Sequence, residues 1–204
     1  MTKKLSEMTL EELWQLFPII LTEHKDCWKS FYLEEEAALK RILPTGSIIN
    51  HIGSTAVPNI YAKPIVDILV EVKGEMGAIA QNLVRCGYII MSQEDVKVDK
   101  APMSGDFGRD RSAVEIKRIS LNKGYTEQGF ASKVFHLHLR RYGDNDEIYF
   151  RDYLIAHPQV AKEYESLKLN LWKMYEHNRD AYTQAKTEFV RKYTSIAKNE
   201  ALNK

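Results

Sequence analysis

Apolar residues recur along this chain at two different periods, and the switch between them divides it. Leu10, Leu13, Trp14 and Phe17 mark one side of a short helix that opens on Thr9, with Glu12 placed for a reciprocal cap, and Pro18 ends it. Between Asp26 and Ile42, Trp28, Phe31, Tyr32, Ala38, Leu39 and Ile42 repeat near 3.6 residues until Pro44 and Gly46 stop the pattern. Alternation and short apolar runs then take over. They predict strands over Ser47–Ile52, Ile65–Val72, Tyr88–Met91, Ala113–Leu121 and Val134–Arg141. Ile79, Ala80 and Leu83 predict a helix over Gly77–Cys86, with Gly87 as its stop.

After Gly143 the longer period returns. "DEIYFRDYLIAH" predicts one helix, the run from Pro158 through Val160, Tyr164, Leu167, Leu171 and Tyr175 a second, and Tyr182, Ala185, Phe189, Tyr193 and Ile196 a third. These three are expected to pack on the sheet or on each other. Ser92 to Ser112 is polar, rich in Asp and Gly and long for a connection, so it reads as a mobile surface loop near function. The order predicts an α+β protein in a single domain with three parts: N-terminal helices over 1–46, a sheet core over 47–142 and C-terminal helices over 143–204.

A chain of 204 residues with 44% hydrophobic content buries a full core as one domain. Lys plus Arg number 29 against 28 Asp plus Glu, so no global field favours nucleic acid or an anionic membrane. Cys27 and Cys86 are far apart and lack metal-ligand spacing, which fits a reducing compartment. The first residues mix Glu with Leu and give no signal peptide, and no run approaches the roughly 20 apolar residues of a membrane span. The expectation is a cytoplasmic protein.

Candidate chemistry begins with a charge inside the best strand. Ile65, Asp67, Leu69 and Glu71 fall on one face, Val66, Ile68, Val70 and Val72 on the other, which is all apolar and reads as core. An ionised Asp67 beside Ile65 and Leu69 requires a cation, backbone donors or a cleft. A salt bridge meets that need, and so does a metal ion. About a dozen residues earlier, "IGST" closes the preceding strand. Gly53 permits positive φ and close backbone approach, while the hydroxyls and N–H groups of Ser54 and Thr55 can cradle an anion.

In the last strand His136 and His138 alternate onto one face. With Asp67 they would make an N/N/O set that suits zinc, manganese or iron better than magnesium. The plainer alternative is one histidine on a phosphate or backbone group and the other in the core. His51, just before the turn, is a further candidate. Glu115 offers another carboxylate, or else an ordinary surface charge. Lys63 and Arg151 lead the cations that could meet a phosphate.

"HIGSTAVPNIYAKPIVDILVEV" and "FHLHLRRYGDNDEIYFRDYLIAHPQVAKEYESLK" resemble the GrpB-like family of the nucleotidyltransferase superfamily, the one that includes DNA polymerase beta. The resemblance spans Ile48 to Lys168 and includes the segments that hold Lys63 and Arg151. It implies a mixed β-sheet of about five strands with helices packed on it and a helical C-terminal region. It further implies that Gly53 and Ser54 hold the triphosphate of a nucleotide and that Asp67 coordinates a divalent metal, Mg, Mn or Zn. That metal would align an acceptor hydroxyl for attack on the α-phosphorus, with pyrophosphate leaving.

One departure stands out. Where the superfamily pattern places a second carboxylate two residues on, this chain has Leu69, and Glu71 lies roughly 6 to 7 Å farther along the strand. The resemblance implies metal-dependent nucleotidyl transfer from a nucleoside triphosphate to a small acceptor, and Leu69 counts against it. Two alternatives remain: a catalytically reduced protein that binds or senses a nucleotide or other phosphorylated molecule, and a metal-dependent phosphate-ester hydrolase.

Overall fold

The computed structural model describes residues 3–99 and 112–203. Strands β1 (Ile48–Ile52), β2 (Val66–Val72), β3 (Ile89–Asp99), β4 (Ser112–Thr126) and β5 (Gly129–Arg141) form one sheet in the order β1-β2-β5-β4-β3. β2 and β5 run parallel and the other neighbours antiparallel, so the sheet is mixed. The α+β class, the five strands and the helical C-terminal region are as expected. Helices α1 (Leu10–Leu16) and α2 (Cys27–Leu39) precede the sheet, and α3 (Met76–Arg85) links β2 to β3. Then follow α4 (Asp146–Ala156), α5 (Pro158–Tyr175), α6 (Arg179–Ala185) and α7 (Thr187–Leu202).

The alternation in β2 sets the two sides of the sheet. Val66, Ile68, Val70 and Val72 join Leu121, Phe135, Leu137 and Leu139, and α2 and α3 close over them with Trp28, Leu39, Ile79 and Leu83. Each such side chain contributes about 1.5–3 kcal/mol when fully buried, so this layer is the main source of stability. The C-terminal helices build a separate core. Phe150, Leu154, Val160, Tyr164 and Tyr193 pack with Val57 and Ile60 from the segment after β1, and Leu171 and Tyr182 pack with Ile19. They thus pack on one another beside the second face of the sheet, and cavities remain along it.

Three boundaries differ from expectation. The segment read as a surface loop is strand as far as Asp99, because "EDVKVD" alternates with period two and pairs with β4 through two register shifts, although its polar composition hid the signal. Residues 100–111 of that stretch lie outside the described residues. β4 and β5 run well past their predicted ends, toward a turn that pairs Thr126 with Gly129. Gly124 permits this at φ 90°, since a Cβ there would lie 3.1 Å from Val134 Cα. Finally, the third C-terminal helix is two, α6 and α7, separated by Lys186, whose N–H bonds back three residues to Thr183 instead of four.

Candidate anion-binding site

Gly53 leaves β1 at φ 70° and ψ −173°, and Ser54–Ala56 follow as a single 3-10 turn. A Cβ on Gly53 would lie 2.9 Å from Asp67 Cγ and closer still to Oδ2, so only glycine lets the turn rest against that carboxylate. The partner on the other side of β2 is β5. Asp67 stands directly opposite His136, and Leu69 opposite His138, so parallel pairing places both imidazoles beside the acid.

Their nitrogens are committed to it. His136 Nδ1 lies 3.2 Å and His138 Nε2 3.7 Å from Asp67 Oδ1. Arg179 Nη2 lies 3.2 Å from His136 Nε2 and the Tyr125 hydroxyl 2.7 Å from it. A guanidinium only donates, so Nε2 is the acceptor and Nδ1 carries the proton given to Asp67. Burial, only partly offset by Asp67, pushes His136 down to about 4, which leaves it neutral near pH 7. For Asp67 burial works in the opposite direction, but hydrogen bonds from the two histidines outweigh it and hold the carboxyl well below the usual range. The group is a fixed negative charge and a weak base.

Cations from several elements face this arrangement. Lys63, Lys168, Arg179 and Lys186 line one cavity of about 1060 Å³ together with Gly53, Ser54, Asp67 and both histidines. Lys168 is 2% exposed and donates to Ser54 Oγ at 3.1 Å and to the Tyr61 carbonyl. The ammonium groups of Lys63 and Lys186 lie 5.5 Å and 4.3 Å from the centre of the Tyr182 ring. Burial, then the charges of Lys186, Arg179 and Lys168, push Lys63 down to about 7 against the pull of Asp67. Burial and Lys186 bring Lys168 to about 7 as well, and burial and Arg179 bring Lys186 to about 8. Positive groups crowded together in a recess are stabilised by an anion.

A second cavity of about 940 Å³ shares Gly53, Ser54, Asp67, His138 and Lys186 with the first and adds Arg118, Arg151 and Lys198. Asp67 therefore lines both. Lys63 and Arg151, expected to work together, are divided between the two cavities. Arg151 donates to the His51 carbonyl at 2.7 Å and pairs with Asp152.

The remaining expected residues are engaged elsewhere. His51 lies on the opposite face of the sheet, stacked on Tyr32 at 4.8 Å and 3.0 Å from Thr55 Oγ1, and burial pushes it down to about 4. The Thr55 hydroxyl donates to the Ile65 carbonyl at 3.3 Å and lies 3.0 Å from His51 Nε2, so it is engaged away from the cavity's cations. Glu71 is buried and accepts from the Gly143 N–H at 2.9 Å and from Asn145 at 3.2 Å, which makes it a fastener for the chain after β5. Glu115 pairs with Arg141 at the surface.

Among the described residues no three His, Cys, Asp or Glu side chains are arranged to hold a metal ion. Both imidazoles nevertheless turn a nitrogen toward Asp67 Oδ1, His136 Nδ1 at 3.2 Å and His138 Nε2 at 3.7 Å. Asp67 Oδ2, on the side of Gly53, is the remaining carboxylate oxygen. One such donor suits Mg²⁺ that arrives already bound to phosphates better than a metal caged by protein.

Lys168, Arg179 and Lys186 were missed in the sequence. The signal was there for Lys168, which stands four residues after Tyr164 and three before Leu171 on the buried stripe of α5. Arg179, Tyr182 and Lys186 likewise repeat at helical spacing.

The fold and site define an α+β protein with a mixed sheet, a glycine-serine turn against a carboxylate on a central strand, and a cluster of cations of which Lys168 is buried and Lys63, Arg179 and Lys186 are half-buried. The chain belongs to the GrpB family: the family model described as "GrpB protein" matches residues 18–195. It is 34% identical to "Glutamate-rich protein GrpB" of Alkalihalophilus pseudofirmus over 176 residues, which cover 84% of this chain and 91% of that one. It is 31% identical to "UPF0157 protein YqkA" of Bacillus subtilis across 97% of this chain, which spans only 53% of that protein. Among solved structures, the conserved protein GrpB from Enterococcus faecalis is similar with a TM-score of 0.68 at 29% identity, covering 90% of this chain and 99% of that one. No helix among the described residues is long and apolar enough to cross a membrane.

Proposed function

We propose that the protein binds a nucleoside triphosphate, with its phosphates between the Gly53–Ser54 turn and the cluster of Lys63, Lys168, Arg179 and Lys186. The observation that carries this reading is the cluster itself. Three lysines held near or below pH 8 by burial and mutual repulsion represent stored electrostatic cost, and a polyanion relieves it. The turn supplies backbone donors, Ser54 a hydroxyl, and Asp67 a carboxylate for Mg²⁺ carried in by the ligand. Mg²⁺ between them would keep Asp67 from repelling the phosphates.

A second reading is favoured by one observation, the position of Asp67 between two cavities. A nucleotide in the first and an acceptor hydroxyl in the second would meet at it, and nucleotidyl transfer would release pyrophosphate. Leu69, fully buried where a second carboxylate is expected, weighs against it. Binding is therefore the primary reading.

Thermal melting with millimolar inorganic triphosphate and with each nucleoside triphosphate, with and without Mg²⁺, tests both. A ligand present at 100 times its Kd adds about 2.7 kcal/mol to apparent stability, an upward shift of several degrees. No shift with any of these anions sinks the binding reading. Release of pyrophosphate in the presence of nucleotide and candidate acceptors would promote the second reading over the first.

A further inference from the structure

The cavity that gathers the cations has an apolar half that no core absorbs. None of the residues of α1 is buried, and the helix is anchored by Phe17, whose ring lies 4.8 Å from Tyr125 and 5.0 Å from Phe130. Leu10 and Trp14 of α1 and Ile89 and Met91 of β3 line the cavity. Leu10, Ile89 and Met91 are 53%, 48% and 56% exposed. Single exposed apolar side chains are ordinary, whereas several turned into one cavity next to a charged cluster form a contiguous binding wall.

The wall also carries polar groups. Ser120 and Asn122 of β4 face the cavity on the same side of the sheet as their β5 partners His138 and His136. We infer that α1 and the site-facing residues of β3 and β4 form a nucleobase subsite, with Trp14 and Met91 against the ring and Asn122 reading its edge. An alkyl tail would fill the apolar part but leave the nearly buried Asn122 amide without a cavity-side partner, while a heteroaromatic ring offers both a flat apolar face and donors and acceptors. The cationic cluster lies within residues 18–195, the span matched by the family model, and α1 lies ahead of it. Trp14 of the proposed subsite thus lies outside that span, while Met91 and Asn122 lie inside it.

This inference rests on the triphosphate reading, and calorimetric titration separates the two. The probes are inorganic triphosphate and the four common nucleoside triphosphates, applied to the full chain and to the Trp14→Ala and Met91→Ser variants. The second variant alters an exposed position outside every core, so the result does not depend on how well α1 tolerates its change. At least one nucleoside triphosphate is expected to bind about tenfold tighter than inorganic triphosphate, the scale of one base stacked on an aromatic ring. Both variants are expected to lose most of that advantage while their affinity for inorganic triphosphate stays within about twofold. Equal binding of inorganic and nucleoside triphosphates by the unaltered protein overturns the subsite alone, as does a parallel loss of both in the variants. Failure of inorganic triphosphate to bind overturns the phosphate reading and the subsite with it.

Discussion

The two faces of the central sheet are built from alternate residues of the same strands and meet opposite fates. In β2, Ile68 is fully buried under α2 and α3, while its neighbour Asp67 looks into two cavities. In β5, Leu137 belongs to the core and the flanking His136 and His138 belong to the site. One face holds the fold together by excluding water, and that rigidity lets the other hold charged groups in unfavourable proximity. Backbone pairing makes the transfer direct, because the register that buries Ile68 against Leu137 also sets Asp67 opposite His136.

Exchanging a charge across the faces should give the largest contrast. Ile68→Asp buries an unpaired carboxylate in the core and is expected to cost more than about 4 kcal/mol, leaving no cooperative unfolding transition by circular dichroism. Asp67→Asn should keep the fold and a melting temperature within a few degrees of the parent. Its triphosphate binding should no longer depend on Mg²⁺, and a calorimetric titration that still shows Mg²⁺ dependence would remove Asp67 from the proposed role.

Gly53→Ala comes next, because it acts at the contact between turn and carboxylate. It forces an alanine into a conformation open almost only to glycine and drives its methyl group into Asp67, for a loss of about 1–3 kcal/mol in chemical denaturation. Triphosphate binding should fall as well, and an unchanged affinity would place the phosphates elsewhere.

The smallest change in stability is expected from Lys186→Met, which keeps the stem and removes one crowded charge. Unfolded lysines titrate near 10.4, whereas Lys63 and Lys168 titrate at about 7 and Lys186 at about 8 in the folded chain. Between those values the unfolded chain holds more protons, so the stability of the ligand-free protein should rise as pH goes from about 7 to 10. Anion binding runs the other way, since it needs the lysines charged, and affinity should fall as pH rises from 7.5 to 9.5. In Lys186→Met both slopes should flatten, with stability at pH 7 equal to the parent or slightly higher. A steeper stability slope in pH-dependent melting would show that the cluster is not strained.

What the sequence revealed and what it concealed divide along the same line. The strands, the two faces of β2, and the grouping of Asp67 with Gly53, Ser54, His136 and His138 were legible because they lie on adjacent central strands, where period two fixes direction. The cations from α5 to α7 were not, since their meeting with the sheet depends on how separate helices pack. Arg151 shows the limit from the other side: it falls in a stretch that resembles the family, yet its guanidinium turns to the His51 carbonyl, a contact no local pattern foretells. Composition misled at β3, where charged residues on an edge strand read as a loop although they alternated correctly.

The break at Lys186 has one more consequence. Lys186 and Asp67 each border both cavities, so filling either one alters the field felt in the other. Occupancy of the two spaces is then thermodynamically linked, and the linkage is reciprocal: whatever factor a guest in the first cavity imposes on the second, a guest in the second returns to the first. If both volumes take charged guests, an ammonium at a helix break would make them one responsive unit.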